Sequence, residues 1–264
     1  MNFDAAIFDM DGVITKTAVV HSSAWKRTFD EYLLLRKSRH GETFREFTPA
    51  DYLAYVDGRP RYNGVDYFLK SRGIEIPYGD PTDEPGKETV CGLGNRKNEF
   101  FRRVLGEEGA EVYPSTIQRV RELRQRGVNV AVATSSKNCV AVLDGAGIAD
   151  LFDARIDGLV SAELGLQGKP EPDIFITACG RLGARPARAM IVEDAVSGIQ
   201  AAVKGHFGLV LGIARENNGH ELLRNGADIV VGDLSEISIE QIDCWFTKHG
   251  NTEHDHRTRA QETI

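Results

Sequence analysis

The stretch Phe3-Asp4-Ala5-Ala6-Ile7-Phe8-Asp9-Met10-Asp11-Gly12-Val13-Ile14 decides how the rest of the chain is read. A short apolar run leads into two carboxylates and a glycine, which predicts a buried strand ending at Asp9. In open α/β sheets, ligands bind outside the carboxyl ends of the strands. A carboxylate at the end of a buried strand is costly unless something compensates it. A divalent cation or a hydrogen-bonded phosphate is therefore expected beside Asp9 and Asp11. A plain Asp-Gly turn would also explain the pattern, with Gly12 suited to a positive φ. A calcium loop does not fit. It needs further oxygen ligands and a closing glutamate, whereas Val13-Ile14-Thr15-Lys16-Thr17-Ala18 follows.

Outward from this strand the pattern changes. Trp25, Phe29, Tyr32, Leu33 and Leu35, with charges between them, predict an amphipathic helix over 21–36. Residues 37–47 are charged and aperiodic, a loop or weak helix. Thr48 followed by Pro49 marks a helix start. Residues 57–61 form a turn-rich connector, 64–71 a helix and 78–86 a polar loop, and a further helix begins near Asn95 and runs to 105. No alternating strand pattern occurs from 21 to 105, so this part reads as an all-helical insert. After Pro114 strands and helices alternate. Strands are expected at 128–133, 152–156, 189–192, 209–213 and 228–231. Helices are expected at 115–126, 137–146, 170–182, 195–203 and 239–247, with one more between the last two strands. Such alternation indicates a doubly wound parallel sheet covered on both faces, and the strand at Ala5 must join it. The expected organisation is an α/β core of residues 1–16 and 112–250, a helical cap of residues 17–111, and a polar tail of residues 251–264. His254 and His256 in that tail have no scaffold to hold a metal.

The chain has 264 residues and a formal net charge of −7, which argues against a general nucleic-acid binder. No apolar run is long enough to span a membrane, and no charged-then-apolar leader precedes the first strand. The cysteines, Cys91, Cys139, Cys179 and Cys244, form no Cys-x-x-Cys pattern, so reduced thiols are expected. A cytoplasmic protein, monomeric, acting on a small molecule, is the expectation.

Three predicted strands end in polar groups: Asp9-Met10-Asp11, Thr134-Ser135-Ser136 and Glu193-Asp194. One loop supplies Gly168-Lys169-Pro170. Singly, each could be a helix cap or a surface charge. Together they place a nucleophile, hydroxyls, a lysine and an acid pair on one sheet edge, which is a site for phosphoryl transfer. Asp9 is the candidate nucleophile, forming an acyl phosphate. Asp11 is the candidate general acid and base. Thr134, Ser135 and Lys169 are placed to bind phosphate. Asp9, Asp11, Glu193 and Asp194 are the candidate ligands for Mg2+, with Asp9 and Asp194 holding it and Glu193 completing the set directly or through water.

These four motifs resemble those of the haloacid-dehalogenase-like phosphotransferases, over nearly the whole chain except its tail. The resemblance implies a Rossmann-like core with an inserted helical cap. A narrower resemblance is to the β-phosphoglucomutase family. It rests on residues 13–18, on His21 and Trp25, on Arg61 after Gly58, on Lys97, and on Ser136-Lys137-Asn138. It implies that Arg61 holds a distal phosphate, and that His21 and Lys97 help position Asp11 and the sugar. Lys16 departs from the family by standing where an acid is usual at the hinge. The cap is longer, and Thr134-Ser135 replaces a Ser-Ala pair. The sequence over 55–64 is similar to that of bacterial relatives found beside or fused to disaccharide phosphorylases and trehalose-phosphate enzymes. The resemblance thus implies a mutase converting β-glucose 1-phosphate to glucose 6-phosphate through the 1,6-bisphosphate. A sugar-phosphate phosphatase of the same fold and a non-catalytic sugar-phosphate-binding module are the competing readings.

Overall fold

The computed structural model describes residues 1–215 and 217–249, so the expected tail and its histidines lie outside the described residues. Six strands form one parallel sheet in the order β3-β2-β1-β4-β5-β6. They are β1 (Ala5–Phe8), β2 (Asn129–Ala133), β3 (Ala154–Ile156), β4 (Ala189–Glu193), β5 (Leu209–Ile213) and β6 (Ile229–Val231). β1 pairs with both β2 and β4, so Asp9 emerges at the middle of the sheet.

Period-two alternation sorts the strand residues between two apolar layers. Ala6, Phe8, Val130, Val132 and Val192 face one way. There they meet Val120 and Leu123 of α5 (Pro114–Gln125), Val142 of α6 (Cys139–Gly145) and, from the last helix, Ile242 and Phe246. Ile7, Ala131, Ala133 and Ile191 face the other way, onto Phe175 of α8 (Asp173–Arg181) and Ile199 of α9 (Val196–Lys204). Each fully buried side chain of the size of Phe8 or Ile191 contributes ~1.5–3 kcal/mol. The remaining core helices are α7 (Gly158–Glu163), α10 (Gly219–Arg224) and α11 (Ile239–His249).

Between β1 and α5 the regular elements are helical: α1 (Thr17–His40), the short α2 (Pro49–Asp51) with a π-helical turn after it, α3 (Arg61–Ser71) and α4 (Val90–Glu108). This cap has its own core, in which Phe29 packs 4.2 Å from Phe68 and Phe47 packs 4.9 Å from Phe68, centroid to centroid. Two chain crossings join cap to sheet. Thr15 bridges Val112, Lys16 N–H donates to Glu111 O at 2.9 Å, and Lys16 Nζ pairs with Glu111 Oε2 at 2.7 Å. The unusual hinge lysine thus finds its acid on the other crossing. The pair is exposed, so it contributes little to stability.

Several expected boundaries move. α1 runs on to His40, because Lys37, Arg39 and His40 complement the helix dipole and Gly41 closes it in the left-handed conformation. α4 starts at Val90 rather than near Asn95: Thr89 caps it by accepting from Gly92 N–H at 2.9 Å. Gly92 and Gly94 serve close packing. A Cβ at Gly92 would lie 2.4 Å from Lys87 O, and one at Gly94 would lie 2.8 Å from the Tyr62 ring. α6 begins at Cys139 because Ser136 Oγ accepts from Asn138 N–H in a turn at 3.2 Å. α8 begins at Asp173, after the turn that carries Pro170 and Pro172. α7 was not expected. Asp157 caps it, accepting from Leu159 and Val160 N–H at 2.9 and 3.0 Å. No helix among the described residues is long and apolar enough to cross a membrane.

Candidate active site

Asp9 leaves β1 with its N–H bonded to Val192 O at 2.9 Å, which fixes the residue beside the end of β4. There Asp9, Glu193 and Asp194 each bring an oxygen within 4.8 Å of the other two. Lys169, buried, crosses to this group from the loop before α8, reaching Asp9 Oδ1 at 2.6 Å and Glu193 Oε1 at 2.5 Å. Glu193 Oε2 is taken by the N–H groups of Asp194 and Ala195, both at 2.8 Å. Glu193 is therefore engaged at both oxygens and acts as a brace for Lys169 and for the turn into α9. Two glycines make room. A Cβ at Gly198 would lie 1.8 Å from Glu193 Oε1, and one at Gly12, whose φ is +87°, would lie 1.7 Å from Asp194 Oδ2.

Burial raises the carboxyl of Asp9 well above the usual range; Lys169 works against this, while Glu193 and Asp11 add to it. Burial likewise raises Asp194, with Glu193, Asp57 and Asp9 adding repulsion. Burial disfavours the charge of Lys169, but Asp9 and Glu193 more than reverse this and hold its pKa high. Among the described residues no donor or cation meets the carboxylate of Asp194. Three hard oxygens around a point with more negative charge than Lys169 can offset suit Mg2+, which prefers carboxylate and water ligands. Asp11 does not belong to that group by its side chain. Its carboxylate turns toward the cap, where Thr17 Oγ1 donates to Oδ1, so the Asp11 side chain lies outside the cluster of Asp9, Glu193 and Asp194.

The cap completes the surroundings of Asp11. His21 Nε2 lies 3.4 Å from Asp11 Oδ1, and Lys97 Nζ contacts His21 Nδ1. With Lys97 donating to Nδ1, the ring proton sits on Nε2 and faces Asp11. The His21 ring packs 4.1 Å from Phe101, and Lys97 Nζ lies 5.0 Å from both the Trp25 and Phe101 ring centres. Burial pushes the pKa of Lys97 well down, with Arg61 adding. Burial and Lys97 together lower His21. Burial would raise Asp11, but His21, Thr17 and Lys97 outweigh it and leave its pKa below the ordinary value.

Thr134 and Ser135 follow β2. Thr134 Oγ1 accepts from Ser136 N–H at 3.1 Å, and Ser135 Oγ donates to Gly58 O of the cap at 2.9 Å. Ser197 Oγ donates to Asp57 O at 3.1 Å. Gly58, at φ +66°, packs so closely that a Cβ would lie 2.4 Å from Ser197 Oγ. Across the seam, Asn98 Oδ1 accepts from both Arg61 Nη2 at 2.8 Å and Asn138 Nδ2 at 2.9 Å. Lys137 Nζ stands over the Tyr62 ring at 5.0 Å. The inner cavity holds about 70 Å³ and is walled by Asp9, Asp11, His21, Trp25, Gly58, Arg61, Lys97, Thr134, Ser136, Lys137, Asn138 and Asp194, among others. Lys169 and Glu193 are bonded to one another beside Asp9 but do not line this cavity.

Sequence reading passed over Thr17, Asn98, Tyr52 and Asp57. Burial and the acids around it raise the carboxyl of Asp57 to about 7, and burial raises the Tyr52 phenol well above its usual value. The signal for Thr17 and Asn98 was there, since Thr17 lies within the matched residues 13–18 and Asn98 follows Lys97. Their partners are set by tertiary packing.

Comparison with known proteins agrees with this geometry. The family model described as haloacid dehalogenase-like hydrolase matches residues 3–206. The chain is 45% identical over 237 residues to a β-phosphoglucomutase of Mycobacterium tuberculosis, covering 88% of this chain and 90% of that one. It is 38% identical over 236 residues to a protein of the same organism called an uncharacterized glycosyl hydrolase, covering 89% of this chain but 18% of that one. In fold it is similar to the crystal structure of a β-phosphoglucomutase from Clostridium difficile, with a TM-score of 0.75 and 22% identity over 93% of this chain and 98% of that one. By sequence and by fold, the chain belongs to the haloacid dehalogenase-like hydrolase family.

Proposed function

We propose that the protein is a β-phosphoglucomutase, converting β-glucose 1-phosphate to glucose 6-phosphate through glucose 1,6-bisphosphate and a phospho-aspartate on Asp9. The observation that carries this reading is the pairing of two opposed regions: a carboxylate nucleophile with a lysine at one end, and Arg61, Lys137, Asn98 and Asn138 at the other. Such a site suits a substrate with a phosphate at each end. The identity to the mycobacterial β-phosphoglucomutase supports the same substrate.

In the proposed cycle phospho-Asp9 meets β-glucose 1-phosphate with its C6 hydroxyl inward. The hydroxyl oxygen bonds to phosphorus, the bond to the Asp9 oxygen breaks, and Asp11 takes the hydroxyl proton. The bisphosphate then presents its C1 phosphate. Asp9 takes that phosphoryl group, and Asp11 returns the proton to the departing C1 oxygen. Asp9 and Asp194 would hold Mg2+, which would supply charge neutralisation for the transferring phosphoryl group. Lys169 fixes Asp9 and faces the phosphate oxygens together with Thr134 and Ser135. His21 and Lys97 hold Asp11, while Arg61 grips the distal phosphate through two parallel hydrogen bonds.

The closed cap excludes water from the acyl phosphate, which separates a mutase from a phosphatase built on the same core. The similarity to part of a protein called an uncharacterized glycosyl hydrolase supports placing the enzyme in carbohydrate metabolism. The test follows both products from β-glucose 1-phosphate with Mg2+ and a trace of the 1,6-bisphosphate. Glucose 6-phosphate in large excess over free phosphate is expected. Free phosphate as the sole product would replace this reading with the phosphatase.

A further inference from the structure

Beside the inner cavity, and separated from it by shared walls of Arg59, Arg61, Ser135 and Lys137, lies a second cavity of about 620 Å³ at the seam of cap and core. It is large enough for a sugar phosphate, and it is wider in this structure than the inner one, at about 70 Å³. Its cap wall is the start of α3 with Arg59, Tyr62 and Tyr67, and its core wall is α7 with Ser161 and Ala162. The charges on its walls are unbalanced. The guanidinium of Arg59 rests on the Tyr67 ring at 5.1 Å, and among the described residues it has no hydrogen bond or ion pair. Lys137 likewise meets a ring and no acid, and Arg61 is bonded to the neutral Asn98. The acid on the wall, Glu171, is already paired with Lys204 at 2.6 Å. Ser161 Oγ is buried without a partner.

We propose that this seam cavity is an outer docking subsite for an anionic sugar phosphate, with Arg59 as its phosphate ligand, through which substrate passes on its way to the inner site. The proposal rests on the sugar-phosphate reading above. Three cations without acid partners attract a phosphate dianion, and an arginine free of other bonds is ready to grip it. Tyr62, Tyr67 and Ser161 offer ring faces and a hydroxyl to the sugar. Because cap and core both line the cavity, a ligand docked there is released inward when the cap moves. Arg59 lines both cavities but has no part assigned to it in the inner chemistry.

The experiment is calorimetric titration of glucose 6-phosphate, with Mg2+ present, into the wild type, Arg59→Gln and Arg59→Lys, at low and high salt, alongside kcat and KM for β-glucose 1-phosphate. Arg59→Gln is expected to weaken binding and kcat/KM about tenfold at low salt, with kcat nearly unchanged. Arg59→Lys keeps the charge and recovers most of the loss. The gap narrows at high salt as the charge is screened. Ala162→Trp, which fills the cavity from the exposed face of α7, should reproduce the loss. Equal affinities for wild type and Arg59→Gln would overturn the subsite, as would a fall in kcat that Arg59→Lys does not recover. The titration does not depend on turnover. Tight glucose 6-phosphate binding lost in Arg59→Gln, with no mutase activity in the wild type, would keep the subsite while removing the mutase reading.

Discussion

His21 Nε2 stands 3.4 Å from Asp11 Oδ1 while Lys97 contacts the opposite ring nitrogen, so a cap histidine is held between a core carboxylate and a cap lysine. The contact exists only when the cap lies over the sheet, which ties the protonation of Asp11 to closure. Burial alone would raise the pKa of Asp11, and His21, Thr17 and Lys97 reverse the sign. A depressed pKa keeps Asp11 ionised, and ready as a base, down to a lower pH than an ordinary carboxylate. Replacing His21 by Ala removes the largest opposing influence and lets burial raise the pKa. The acid limb of kcat/KM should therefore move to higher pH in His21→Ala, and kcat should fall by up to about 100-fold. The pH–rate profiles of the two proteins check this. An unmoved acid limb would separate His21 from Asp11.

The carboxylate of Asp194 has a different predicament. It is pushed toward its neutral form and lacks a donor among the described residues. In metal-free protein Asp194→Asn removes repulsion from Asp9 and Glu193, so its melting temperature should equal or exceed that of the wild type. Adding Mg2+ should raise the wild-type melting temperature, by the equivalent of about 2.7 kcal/mol at a hundredfold excess over the dissociation constant. It should leave Asp194→Asn where it was. Equal Mg2+ shifts in both proteins would take Asp194 out of the cation site.

Lys169 gives the opposite result. It is the one base bonded to both Asp9 and Glu193 among the described residues, and removing it leaves two buried acids uncompensated. Lys169→Met should lose ~3–5 kcal/mol of stability in urea unfolding, together with all turnover. A loss below ~1 kcal/mol would mean that the pair is held by something else.

Asn98 joins Arg61 of the cap to Asn138 of the core through one oxygen. Asn98→Leu cannot accept either bond. Arg61 should then grip the distal phosphate less well, raising KM for β-glucose 1-phosphate about tenfold, the equivalent of one lost charge-assisted bond. Steady-state kinetics decide it, and an unchanged KM would reduce Asn98 to packing.

The contrast between Asn98 and Asp9 explains what the chain disclosed in advance. Asp9, Thr134 and Glu193 follow continuous apolar strands, and the carboxyl edge of a parallel sheet gathers strand ends by topology alone. Their meeting could be read from the order of elements. Asn98 meets Asn138, and Asp57 meets Ser197, only when the helical cap settles over that edge, and no local pattern encodes how it settles. The same holds for Lys16, whose acid lies on the second crossing at Glu111. α7 was missed for a simpler reason: Asp157-Gly158 is both a turn signal and a helix cap, and its helix is short.

The central claim is that a phosphoryl group passes through Asp9 from one sugar oxygen to another without reaching water. The measurement is to supply a trace of glucose 1,6-bisphosphate carrying labelled phosphorus together with unlabelled β-glucose 1-phosphate and Mg2+, and to follow the label. The account predicts that label appears on the protein in an acid-stable, alkali-labile form and in newly made bisphosphate and glucose 6-phosphate, with little as free phosphate. It also predicts that Asp9→Asn, folded, carries none. Label leaving only as inorganic phosphate, or unimpaired transfer in Asp9→Asn, would contradict it.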